Sequence, residues 1–102
     1  MKITRTAQIM LVSEIGALTA ATSNSFKSEL TTALQSTINQ IELDLSQAEC
    51  MDCGGVGALV ALRNRARKRN GAVTIRLLNP ANAARQMLRL TRMENVFPVE
   101  LR

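Results

Sequence analysis

The chain has 102 residues, of which 46% are hydrophobic and 21% charged, with a formal net charge of +5. That length holds one domain with one core, and an apolar fraction this ordinary excludes bulk disorder. With no His in the chain, Ser-His and Cys-His catalysis and His-ligated zinc are excluded; its two Cys make no disulfide framework, which points to a reducing interior.

Residues 8 to 15 read as a strand, paired with a short one at Met1 to Arg5. Thr22-Ser23-Asn24 offers N-caps for a helix on which Phe26, Leu30, Ala33, Leu34 and Ile38 recur at helical spacing. Ile41 to Ser46 alternates with period two, a strand with one face on a core and with Glu42 and Asp44 toward solvent. Past Asp52-Cys53-Gly54-Gly55, a helix runs from Val56 to Arg69 and stops at Asn70-Gly71. Val73, Ile75 and Leu77 alternate as a further strand. Asn79-Pro80 caps the last helix, with Pro in its first turn, where the missing N–H costs nothing. On that helix Arg85, Arg89 and Arg92 share a stripe, and Ala83, Met87 and Leu90 lie opposite. Val96 to Val99 closes the chain as a short extended piece. This order of elements describes an α/β domain with right-handed crossovers and helices covering one sheet face more fully than the other.

The longest uncharged apolar run, Val56 to Leu62, is far short of the about 20 residues a spanning helix needs. Ser13-Glu14 also interrupts Ile9 to Val12 before a signal-peptide core forms. A cytoplasmic protein with no membrane insertion is expected. Charge is unevenly spread: residues 1 to 40 sum to +1, residues 41 to 60 to −4, and residues 61 to 102 to +8. Such asymmetry suggests a solvated face or a docking surface.

The region from Leu43 to Leu62 carries the most information. A strand leads to a loop ending in Asp52, then to a glycine-rich turn that opens a helix. Free N–H groups and the positive end of the helix dipole make that turn a natural place for an anion, and Gly54, Gly55 and Gly57 let a backbone or ligand come close. Val56 and Ala58 to Leu62 leave the first two helical turns apolar all round, so a side of the helix not lying on the sheet is expected to offer apolar surface to a partner.

This segment resembles the STAS family, the bacterial anti-sigma-factor antagonists and their relatives, in which a strand ending Leu-Asp-Leu-Ser leads into Asp-Ser-Ser-Gly-Leu-Gly and a helix. Here Leu43-Asp44-Leu45-Ser46 is followed by Asp52-Cys53-Gly54-Gly55-Val56-Gly57. Arg69-Asn70-Gly71, Leu78-Asn79-Pro80 and the closing Leu90 to Val99 fit the family in the same order. Gly16 to Thr22 sits where the family has a Gly-x-Leu-Asp-x-x-Thr loop. The resemblance implies a single α/β domain over residues 1–102, with a mixed four- to five-stranded sheet and helices mainly on one face. It implies action by binding, with no catalysis, cofactor or metal: the antagonist docks on a serine-kinase-like anti-sigma factor and so frees a sigma factor. The docking residues it implies are Asp52, Cys53, Gly54, Gly55, Val56, Gly57 and Val60, with the Leu18 to Thr22 loop, and Leu18, Thr19 and Thr22 in it, as a neighbouring edge. Cys53 takes the place of the family's phosphorylated Ser, so loss of the usual phospho-switch is expected. An alternative within the family is a subunit of a lipid-transport ATPase complex, some of which read Asp-Thr-Gly-Gly here.

Competing readings are weaker. Cys50-Met51-Asp52-Cys53 is a Cys-x-x-Cys and keeps a thiol sensor open, but Cys50 is expected to end the buried strand, leaving only Cys53 at the helix start. As a zinc site it is half a set. Gly55-Val56-Gly57 lacks the third glycine of a dinucleotide loop, and no phosphate-loop Lys-Ser/Thr follows it. The basic run Arg63 to Arg69 with the Arg85/Arg89/Arg92 stripe lacks aromatic platforms for bases, so a solvated face that steers an acidic protein partner is expected, with no direct nucleic-acid binding.

Overall fold

A computed structural model describes residues 1–102. Its elements in chain order are β1 (Lys2–Arg5), β2 (Ile9–Ser13), β3 (Ala17–Leu18), α1 (Ser23–Ala33), β4 (Gln40–Asp44), β5 (Cys50–Met51), α2 (Cys53–Asn70), β6 (Thr74–Leu78), α3 (Asn82–Leu90), a 3-10 turn (Met93–Asn95) and β7 (Val99–Glu100). Five strands form a mixed sheet in the order β1-β2-β4-β6-β7. The β1–β2 pair is antiparallel and the other three pairings are parallel. The remaining strands, β3 and β5, pair with each other in parallel as a separate two-stranded sheet.

Period-two alternation decides which side of the large sheet is covered. Met10, Val12, Ile41, Leu43, Ile75 and Leu77 are buried on one face. Against them pack Phe26 and Leu30 of α1, Leu59, Leu62 and Ala66 of α2, and Ala84 and Leu88 of α3, all within one core cluster. Each such Leu or Ile, fully buried, contributes about 1.5–3 kcal/mol to the hydrophobic term. The helices thus lie on one face, as the alternation predicts. None of them is long and apolar enough to cross a membrane.

Several boundaries differ from the sequence reading, each for a local reason. Glu14 adopts a left-handed conformation (φ 58°) and ends β2 early. α1 stops at Ala33 because Leu34 is extended; Leu34 and Ile38 still reach the core, but from the following turn. α2 starts at Cys53, three residues before Val56, because Asp52 caps it. α3 starts at Asn82 with no side-chain cap. Asn79 (φ 47°) and Pro80 precede it, and the Asn79 side-chain oxygen accepts from the Arg102 N–H at 2.7 Å instead of capping the helix. The buried stripe of α3 is Ala84 and Leu88, with Met87 beside it; Leu90 is 79% exposed. Arg92 lies beyond the helix in a left-handed conformation, and Val96 follows the 3-10 turn before the extended pair Val99–Glu100.

The helix-free face holds the largest departure. Glu42 does not face solvent: it is 6% exposed, beside Leu11 and Arg76 in register. The Arg102 guanidinium reaches across the face to pair with it. Arg102 Nε also lies 3.2 Å from Glu100, which is 3.4 Å from Arg76, so the buried carboxylate belongs to an alternating chain of charges. A buried charge needs such partners.

Candidate functional site

The glycine turn is built from two segments far apart in sequence. Register pairs Ala17 with Cys50 and Leu18 with Met51, which sets the loop after β3 against the loop before α2. The Asp52 N–H then donates to the Leu18 carbonyl at 3.3 Å. Asp52 is extended (φ −127°, ψ −176°), as an N-cap must be, and its Oδ1 accepts from the Gly55 N–H at 3.0 Å. The same oxygen accepts from the Ala20 N–H at 3.0 Å, and Oδ2 lies 3.3 Å from that donor. Asp52 is therefore a clamp as well as a cap. The Gly55 N–H first, and then the Ala20 N–H, hold its carboxyl below the ordinary carboxylate range. The anion favoured at this helix start is thus supplied by the chain itself.

Thr22 closes the other side of the loop. Its hydroxyl accepts from the Thr19 N–H at 3.0 Å and donates to the Ala17 carbonyl at 3.2 Å. The loop packs so closely on α2 that side chains are excluded. A Cβ on Gly55 would stand 1.9 Å from the Leu18 carbonyl oxygen, and one on Gly54 would stand 2.5 Å from the Ala20 Cα. Gly57 is different, with open space where its Cβ would be.

All ten residues singled out from the sequence meet here, on different levels. Leu18, Gly55 and Val56 are buried and form the floor. Asp52, Gly54, Val60, Thr19 and Thr22 are half-buried, and Cys53 and Gly57, one turn apart, are exposed. The first two turns of α2 are less open than their apolar composition implies. Val56, Ala58, Leu59 and Leu62 are buried and Val60 and Ala61 half-covered, because α2 packs on α1, α3 and the small sheet as well as on the large one. Ala20 and Ala21, inside the expected Leu18 to Thr22 edge, are exposed on the facing rim.

Cys50 does not end the buried strand; it is exposed in β5, and both thiols are free. With Met51 in a strand and Asp52 extended, the segment between the two cysteines is drawn out toward the about 10 Å reach of three extended residues. A disulfide needs less than about 7 Å, so the Cys-x-x-Cys does not close on itself in this fold. Nor does the turn line a cavity. The depression nearest to it, about 190 Å³, lies behind the loop between Gly16, Thr22 and Phe26. A rim of small residues that encloses no cavity suits a protein surface better than a small molecule.

The fold has close counterparts among solved structures. The anti-sigma factor antagonist SpoIIAA in its unphosphorylated form matches with a TM-score of 0.80 at 17% identity, over 97% of this chain and 86% of that one. A putative anti-sigma factor antagonist from Thermotoga maritima matches with a TM-score of 0.84 at 17% identity, over 99% and 85% of the two chains. SpoIIAA of Bacillus in its phosphorylated form gives 0.71 at 18% identity, over 97% and 89%. No curated protein matches at a significant level. A family model described as the STAS domain matches residues 1–102. With the strand order, the capped glycine turn and the paired loop, this places the chain in the STAS domain family.

Proposed function

We propose that this protein is an anti-sigma-factor antagonist-like regulator that acts by docking, without catalysis, on a serine-kinase-like anti-sigma factor and so frees a sigma factor. The observation that carries this reading is the placement of Cys53. It is the first residue of α2 and is exposed on the rim formed with Ala20, Ala21 and Gly57; the resemblance implies that this is the place of the family's phosphorylated serine. Buried Leu18 and Val56 and the Asp52 clamp support that rim from below.

The same position argues for docking that Ser/Thr kinases do not switch. A thiol is not the acceptor such a kinase uses, and the first turn of α2, Cys53 to Val56, has no hydroxyl. A serine at position 54 would need the Ala20 backbone to withdraw. In the family a phosphate adds nearly two negative charges at this surface and weakens the complex; here that charge has no acceptor. The test is incubation of the protein with its cognate kinase and ATP. Wild type binds the kinase and takes no phosphate at residue 53, whereas Cys53→Ser takes phosphate there and releases the kinase. Phosphate mapped to this loop in wild type overturns the unswitched reading, and absence of a complex with the kinase overturns docking.

A further inference from the structure

The cations of this protein are segregated in three dimensions as well as in sequence. α2 carries five bases between Arg63 and Arg69 and no acid, and α3 with the residues just after it adds Arg85, Arg89 and Arg92. Every ion pair in the molecule involves Arg102 or Arg76 on the opposite side of the sheet, so none of these eight cations is paired. The Arg67 and Arg69 side chains donate only to backbone carbonyls, and the side chains of Arg65 and Lys68 make no hydrogen bond. Glu94 shares a small concavity with Arg85 and Arg89 without pairing to either. The rest of the chain, at a net charge of +5 overall, is therefore acidic on balance.

We infer that the α2/α3 side of the helix layer binds peripherally to the surface of an anionic phospholipid bilayer. Three observations favour a bilayer over nucleic acid. The shape is a layer: α2 lies between α1 and α3 and presents no isolated helix to a groove. The only aromatic residues, Phe26 and Phe97, are buried, so no platform exists for stacking bases. Leu90, the most exposed large apolar residue, ends α3 directly after Arg89, where an apolar side chain can enter the headgroup boundary while exposed guanidiniums of the same helix layer hold lipid phosphates. The basic half of α2 begins about 15 Å along the helix from Cys53, so both surfaces can be occupied together.

The test is co-sedimentation of the full chain with phosphatidylcholine vesicles, with and without phosphatidylglycerol, at physiological and high salt. Binding is expected only with the anionic lipid and is expected to weaken as salt rises. Arg65→Gln and Lys68→Gln, at side chains that hold nothing in the fold, should each lower the partition coefficient about fivefold, and Leu90→Ser should lower it without changing the salt slope. Equal partition onto neutral and anionic vesicles, Gln variants that bind like wild type, or a short DNA duplex bound more tightly than the anionic vesicles at the same salt would each overturn the inference.

Discussion

Asp52 ties the site together, and its role has a pH signature. Its carboxyl is held below its ordinary value of 3.8 by the N–H groups of Gly55 and Ala20. A group with a lowered folded pKa binds more protons unfolded than folded in that range. Its stabilisation is therefore full above about pH 4 and is lost as the pH falls through the lowered value. Asp52→Asn should unfold at lower urea concentration than wild type at neutral pH, and the gap should close on acidification below pH 4, a convergence that urea midpoints across pH would record. Gly55 makes a steric prediction. Gly55→Ala puts a methyl carbon into the Leu18 carbonyl, which is backbone and cannot rotate away. Overpacking of this kind costs about 1–3 kcal/mol, and chemical denaturation should show it, whereas Gly57→Ala, facing open space, should show little loss. Asp52 was legible as the end of the loop before the glycine turn, but the helix start it caps was placed three residues late, at Val56. Its second bond was not legible, because Ala20 lies 32 residues away.

At the level of elements, α1 shows how a helix is completed by its neighbours. Its last turn contains no base of its own. Its terminal carbonyls are met from elsewhere: Thr31 by Arg69 at 2.8 Å and Ala33 by Arg5 at 3.0 Å. In the turn that follows, the Asn70 amide donates to Gln35 at 2.8 Å and to Ile38 at 2.9 Å. Removing that donor leaves the part-buried Ile38 carbonyl unpaired, while the Gln35 carbonyl keeps the Ile38 N–H. Asn70→Ala should accordingly lower stability by about 1–2 kcal/mol in chemical denaturation. The end of α2 was readable because Gly71 takes a positive φ of 80°, which only glycine adopts freely. The end of α1 was not, since Leu34 and Ile38 keep helical spacing after the backbone has turned away.

Across the whole molecule, two surfaces of opposite character share one helix. The start of α2 is small, uncharged and clamped to the β3 loop, and its later turns are cationic. The alternating strands, the glycine turn, the one-sided helix layer and the segregation of charge were all legible beforehand, because each rests on residues a few positions apart. The sequence alone settled those, since backbone periodicity and side-chain volume act locally. The folded chain alone decided that Glu42 is buried under Arg102, 60 residues away, and that α2 is enclosed by helices on both flanks. It also decided that Leu18 supports the rim from below, where the family frame implied direct contact. Such contacts depend on which distant segments meet, and a local pattern carries no record of that.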